Sequence, residues 1–397
     1  MKEYTLKIKS ALFKADDVVK ENYKIIGSEI KSKRLNLAKT LQAVSGNVCS
    51  VSYLCKIENN KIIPNRMYLR EICKRLDMQN SKIDALLVLK ESINKCVKAF
   101  FNNDLEAIEE CFLNGKSLIN YRYKLIELIY YLSIKNYNLA NKKVEALMKL
   151  CNTMTESDLV VFSAFYGILA FYNQEFEDAV VSLEYAIKFS TNVNIDVYVL
   201  AMKYEFFAYM NLDDSSVIFS YNKLIDALVI NGFLDKLDEI HFMMAIYLLR
   251  AKSLIEYKRV FKLVKKESYR KSLYLLAKLI LNPYLRIKIS WIENVEPFFY
   301  YLGLIKTDFE LAKKEIFKLK LTSFSEHFNP IYLQYLVLET DEERLCYINN
   351  VILPIIDKTK CTTLSKFIVN EVSKISKRNS KYKMFLEFFR KLNGIVL

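Results

Sequence analysis

Beyond about residue 80, apolar residues recur at intervals of three and four over long stretches, with polar residues between them. That spacing is the stripe of an amphipathic helix, and the few breakers predict long helices joined by short turns. Ahead of it the rhythm is shorter. Between Ile25 and about Met78 the pattern predicts four short helices. The first runs through Ile26, Ile30 and Lys33/Arg34, the second from Thr40 to Val44, the third from Ser50 to Asn59, and the fourth from Met67 to Leu76. Gly46 separates the second from the third, and Pro64 lies in the link before the fourth, where helices stop. Ser50 precedes Val51, Leu54 and Ile57 and reads as an N-cap. The expected organisation is an extension over 1–21, a small helical domain over 22–80, and a helical body over 81–397. The extension shows some periodicity (Leu12, Val18, Val19) but no role.

The body carries a decaying repeat. In FSAFYGILAFYNQEFEDAVVSLEYAIKF, small residues stand at Gly167, Ala179 and Ala186, with Phe176 and Leu183 between them. This matches the tetratricopeptide pattern of closely packed antiparallel helix pairs, where small residues let one backbone approach another. Weaker copies are Asp104/Ala107/Cys111, Tyr137/Ala140/Val144, Leu212/Ser215/Phe219, Tyr257/Val260/Val264 and Phe309/Ala312/Ile316. Their central positions are 33, 39, 36, 45 and 52 residues apart, an irregular period. The fold class expected is all-α: a helical domain followed by a tetratricopeptide-like right-handed superhelix.

Composition sharpens this. Gly and Pro number 7 and 5 in 397 residues, too few for the turns of a sheet-rich fold or for Gly-rich phosphate loops. Residues 1–80 hold 16 Lys and Arg against 8 Asp and Glu, whereas the other 317 hold 43 against 37. A basic first fifth on a nearly balanced body suggests a polyanion-binding domain. The eight Cys form no C-x-x-C pair and the two His stand far apart, so neither a metal site nor a cofactor is expected. Scattered Cys among apolar residues suit a reducing compartment. The N-terminal stretch has no secretory apolar core, and the longest apolar run, Leu159 to Tyr172, is too short to span a bilayer. The expectation is a cytoplasmic protein with no membrane partner. No catalytic spacing stands out, so no enzyme is expected.

Gly27-Ser28-Glu29-Ile30-x-x-x-Arg34, Thr40, Val44-Ser45-x-Asn47-Val48-Cys49-x-x-Ser52-x-Leu54-x-Lys56-Ile57-Glu58 and Pro64 carry the most specific signal. Over about 50 residues this stretch resembles the Xre-type helix-turn-helix in the version of the Rgg/NprR/PlcR/PrgX family of peptide-sensing regulators. The helical repeats match that family's domain order, and the phage arbitrium receptor type shares it. Ile30, Val44, Val48, Leu54 and Ile57 would form a miniature core, and Arg34 could pair with Glu58 to fix the angle between two helices. Ser50, Val51, Ser52, Cys55 and Lys56 are left on the outward side of the third helix, where they could reach base edges in a major groove. Thr40 would meet a phosphate at the start of the second helix, and Lys61 adds charge on the same side. Two departures stand out. Lys39 and Leu41 replace an apolar residue and a Gln at the second helix, and Asn59-Asn60 stands where most members have Gly after the helix-3 Glu.

The resemblance implies a homodimeric transcription regulator that binds a double-stranded DNA operator and answers a short intracellular signalling peptide. Counting back from the central small residues onto the first helix of each pair gives candidate peptide contacts. They are Arg122 and Ser133, Phe171 and Tyr172, Tyr204 and Phe207, and Lys252 and Ser253. This mix offers cations to a carboxylate, aromatics to apolar side chains, and hydroxyls to a peptide backbone. The alternative reading is a protein-binding scaffold or inhibitor, similar to the Rap regulators, with a degenerate DNA-binding domain.

Overall fold

The computed structural model describes residues 2–14, 21–59, 61–62, 64–78, 82–115, 121–190, 194–213, 215–282, 287–319, 330–359, 362–379, 383 and 386–390. Every regular element among them is helical, and no strand occurs among them. The chain divides into two compact units: residues 1–173 with 177–205, and residues 174–176 with 206–397. The expected boundary at residues 80/81 lies outside the described residues, as do Val18 and Val19 of the extension.

The first unit opens with α1 (Lys2–Lys14). Four helices follow: α2 (Glu21–Asn36), α3 (Leu41–Ser45), α4 (Val51–Glu58) and α5 (Arg66–Arg75). These fall where the apolar spacing puts four helices. Then come α6 (Lys82–Phe101), α7 (Leu105–Gly115), α8 (Tyr121–Ser133), α9 (Tyr137–Met148), α10 (Glu156–Tyr172) and α11 (Phe176–Ser190). Helix α12 (Ile195–Leu212) gives its residues up to Glu205 to this unit and the rest to the second. Helix α6 packs on α7 and α8, and α8 on α9. The extension has a structural place here. Helix α1 lies against α9, the short turn Cys151–Thr153 and α10, burying Thr5, Ile8 and Ala11. Helix α2 touches the same turn and α8.

The second unit continues with α13 (Val217–Ile230), α14 (Leu237–Arg250), α15 (Leu254–Phe261), α16 (Glu267–Leu281), α17 (Pro297–Thr307) and α18 (Phe309–Ile316). After these come α19 (Pro330–Leu336), α20 (Asp341–Tyr347), α21 (Leu353–Thr359) and α22 (Thr362–Arg378). Helix α14 packs on α15 and α16, and α17 on α18.

The turns explain why the helices pair. Asn103, Lys135, Gln174, Asp213 and Lys252 all have positive φ, between 52° and 63°. The N–H of the next residue then reaches back five positions: Asp104 to Ala99, Asn136 to Tyr131 and Ser253 to Leu248. This is a Schellman closure, which satisfies the last carbonyls of one helix. Asp104 and Asn136 then cap the following helix, accepting from Ala107 and Leu139 N–H. One residue thus ends a helix and starts the next. From Lys135 to Lys252 these left-handed residues recur every 39 positions, a regularity that the apolar spacing did not reveal because none of them is Gly.

Most central small residues sit as the repeat pattern requires. Ala140, Ala179, Ala186 and Ala312 are fully buried. A Cβ on Gly167 would stand 2.6 Å from Leu183 Cγ, so only Gly fits α10 against α11. Beside it, Ser163 and Ser182 each donate a hydrogen bond to the other's carbonyl, at 2.8 and 2.9 Å. One copy is corrected. Ser215 lies in the turn before α13, and Phe219 is 72% exposed. The inward positions are Val217, Ser220 and Leu224, because Ser215 and Ser216 still belong to the turn, which delays the helix and rotates its face.

Candidate nucleic-acid interface and ligand cavity

Residues 21–78 build a small core from Ile30, Val44, Leu54, Ile57, Ile72 and Leu76, with Leu41, Val48, Tyr53 and Leu69 packed around it. Two hydroxyls set the helix-turn-helix between α3 and α4. Thr40 caps α3 by accepting from Ala43 N–H, and Ser50 caps α4 by accepting from Tyr53 N–H, each at 3.1 Å. Each satisfies a backbone donor that the first turn leaves open. Gly46 ends α3 at φ +42°, and a Cβ there would strike the Arg75 guanidinium.

Arg34 of α2 grips Glu58 of α4 through two parallel bonds, Nε to Oε1 at 2.7 Å and Nη2 to Oε2 at 2.8 Å. Its Nη1 also donates to the Lys39 carbonyl, so one side chain ties α2, the turn before α3, and α4. The hydrogen bond to Glu58 raises the Arg34 pKa, with burial opposing it. Lys39 does not enter the core: it is exposed, and its ammonium donates to the Arg75 carbonyl at 2.9 Å.

With α4 held in this way, Ser50, Val51, Ser52 and Lys56 are exposed together, and Thr40 and Lys61 are also exposed. The Lys61 N–H donates to the Lys56 carbonyl at 2.8 Å, which folds the chain back at the end of α4. The placement of Cys55 on this outward face is corrected. It is half-buried, and the Asn59 amide donates to both its carbonyl and its sulfur. Asn59 itself has φ −100°, so the turn needs no left-handed residue there; Asn60 lies outside the described residues.

The candidate peptide contacts divide between the two units. Arg122 is corrected outright: it is 0% exposed, with Nε donating to Asp158 Oδ2 at 2.8 Å. Tyr121 and Thr155 hydroxyls donate to the same oxygen at 2.6 and 2.8 Å. Burial opposes the charge on Arg122, and Asp158 and Tyr121 outweigh it, so its pKa lies above the usual value. A cation at α-helical spacing reads as solvated until its partner is known, and Asp158 lies on another helix. Phe171 and Tyr204 are buried as well, packed edge to face at 5.5 Å, with the Tyr172 and Tyr204 hydroxyls 3.0 Å apart. Phe171 and Tyr204 are core, whereas Tyr172 is half-buried. Ser133 is half-buried and donates to the Tyr130 carbonyl at 2.7 Å.

Phe207 and Lys252 belong to the second unit and stand at a cavity of about 730 Å³, Phe207 as a fully buried wall residue; Ser253, beside Lys252, is half-buried. Met210, Met243, Phe298, Phe299 and Phe367 supply much of the apolar wall, and Arg250, Lys252 and Lys366 bring cations to it. Asp213, also on the wall, pairs with Lys366. Counting back from repeat positions misses most of this cavity, because it gathers side chains from helices as far apart in sequence as α12 and α22.

Among proteins of known function, the transcriptional activator NprA of Geobacillus stearothermophilus is 28% identical over 151 residues. That match spans 36% of this chain and 36% of NprA, so little more than a third of the relative's length is covered. No protein-family model matches the chain. Two solved structures are similar at a TM-score of 0.38. One is Bacillus thuringiensis PlcR in complex with the peptide PapR7 and DNA, 16% identical, covering 65% of this chain and 99% of that one. The other is the apo form of the competence regulator ComR from Streptococcus vestibularis, 14% identical, covering 64% and 97%.

No helix among the described residues is long and apolar enough to cross a membrane. Sequence reasoning missed Arg75 as a structural residue, although the left-handed Gly46 that it covers was marked as a break.

Proposed function

We propose that this chain is a cytoplasmic, DNA-binding transcription regulator that acts as a homodimer and is controlled by a short signalling peptide. The observation that carries the reading is the exposed start of α4. Ser50, Val51, Ser52 and Lys56 share an outward face, on a helix whose angle is fixed by the Arg34–Glu58 clamp. The N-terminal side chains of such a helix reach base edges first, and the excess of Lys and Arg over residues 1–80 supplies attraction to phosphates. Thr40 and Lys61 take the backbone-positioning role. The partial likeness to the activator NprA supports this reading.

The peptide is assigned to the cavity of the second unit rather than to the residues counted from the repeats. A cavity of about 730 Å³ with aromatic walls and cations at Arg250 and Lys252 suits apolar side chains and a carboxylate. Occupancy would then shift the population of a DNA-competent arrangement.

The test is a selection from random duplexes, followed by titration at several salt concentrations. One sequence family should be enriched, and affinity should fall steeply with salt. Ser52→Ala with Lys56→Ala should weaken binding by about 1–3 kcal/mol per contact that reads a base. No enrichment and no salt dependence would sink the regulator reading. For the ligand, Lys252→Ala with Arg250→Ala should lose the response to peptide fractions from cells while keeping basal DNA affinity. An unchanged response would move the site elsewhere.

A further inference from the structure

Two thiols meet inside the helix pair α6–α7. Cys96 stands on α6 and Cys111 on α7, and the two helices pack on each other. Lys95 pairs with Glu110 at 2.5 Å across the same pair. Cys96 and Cys111, each next to one member of that ion pair, turn inward and interact with each other across the two helices. Both are free thiols, Cys96 0% and Cys111 5% exposed. Nothing in the DNA-binding or peptide reading uses them.

We propose that Cys96 and Cys111 form an oxidation site, at which a small hydroperoxide converts the thiol pair into an intramolecular disulfide between α6 and α7. The environments of the two sulfurs divide the work. The hydrogen bond from Cys96 lowers the Cys111 pKa, with burial opposing and Lys95 assisting. The same bond, together with burial, raises that of Cys96. Cys111 therefore ionises ahead of Cys96, and the thiolate is the nucleophile. Its sulfur attacks one peroxide oxygen and the O–O bond breaks. The departing oxygen leaves as water or an alcohol, taking one proton, and Cys111 becomes a sulfenic acid. The Cys96 sulfur then attacks the Cys111 sulfur, the S–O bond breaks, and the hydroxyl leaves as water with the Cys96 proton. Two thiols lose two electrons and the hydroperoxide gains them. Cys96 is already in place beside Cys111 to resolve the sulfenic acid. The bond closes a loop of the length at which a crosslink stabilises by restricting the unfolded chain.

The test treats the reduced full chain with equimolar hydrogen peroxide at neutral pH, alkylates it, and reads the digest by mass spectrometry. The expected product is a peptide pair joined through Cys96 and Cys111, lighter by two hydrogens and absent from both Cys96→Ser and Cys111→Ser. In Cys96→Ser, dimedone should capture a sulfenic acid at Cys111. The oxidised wild type should melt several degrees higher than the reduced form, and dithiothreitol should reverse the shift. Circular dichroism checks that the variants fold, with Cys96→Ala and Cys111→Ala in reserve. The proposal is overturned if both thiols remain alkylatable while the exposed Cys346 oxidises. It is also overturned if Cys111 proceeds to sulfinic acid without crosslinking. Neither result depends on DNA or peptide binding.

Discussion

Two arginine–carboxylate pairs in the first unit hold two kinds of region together. Among residues 21–78, Arg34 and Glu58 join through a two-bond fork at the edge of a small core, and Arg34 keeps some contact with solvent. Between α8 and α10, Arg122 and Asp158 are sealed inside, with Tyr121 and Thr155 converging on one carboxylate oxygen. The small domain has little apolar area to bury, so a directional pair sets the angle of α4. The helix pairs have ample apolar contact, since α10 is buried along nearly its whole length. There the ion pair adds specificity at the cost of desolvating both charges. The comparison teaches that similar chemistry serves orientation at the edge of a small core and register inside a large one.

The buried pair gives the largest expected effect. Asp158→Ala leaves the Arg122 guanidinium buried without its carboxylate, and should destabilise the chain by about 3–5 kcal/mol in chemical denaturation. A loss below ~1 kcal/mol would show that the region relaxes to admit water. At the Arg34–Glu58 pair, Arg34→Ala should cost about 2 kcal/mol, the scale of charged hydrogen bonds. It should also loosen α4, so that hydrogen exchange speeds up over Val51–Glu58. Protection unchanged at α4 would mean that the apolar core alone sets the angle.

Gly167→Ala tests packing without charge. The new Cβ meets Leu183 at the α10–α11 contact, and the expected cost is about 1–3 kcal/mol, read from the denaturation midpoint. A neutral result would show that Leu183 can turn aside.

The smallest effect is a pH dependence in the second unit. Burial lowers the His241 pKa, with Lys265 acting the same way and Asp238 opposing, and Nδ1 lies 2.8 Å from the Tyr221 hydroxyl. The unfolded chain takes up this proton at a higher pH than the folded one. The contribution is therefore fully present above about 6.5, and is lost as pH falls from there through the folded value. His241→Gln should flatten the slope of melting temperature against pH below that point; an identical slope would assign it to other groups.

The parts of the candidate interface that were legible are local ones. The caps at Thr40 and Ser50, the break at Gly46 and the apolar positions of α4 follow from a few consecutive residues. Cys55 was misplaced because the Asn59 side chain folds back over it, a detail one turn away that apolar periodicity does not carry. In the repeats, Ala140 and Ala179 could be read because each begins a helix directly after a tight turn. Ser215 could not, because a longer turn precedes α13.

The sequence by itself determined an all-helical chain, the position of each short helix in residues 21–78, and the charge that favours a polyanion. Those properties depend on neighbours within a turn or two, where side-chain spacing and backbone preference act directly. Only the tertiary structure decided which cations are solvated, which aromatics are core, and where a cavity opens. Arg122 meets Asp158 at a separation of 36 residues, and Asp213 meets Lys366 at 153. The burial of a side chain is fixed by what lies across from it, and periodicity says which face of a helix is apolar without saying what covers it.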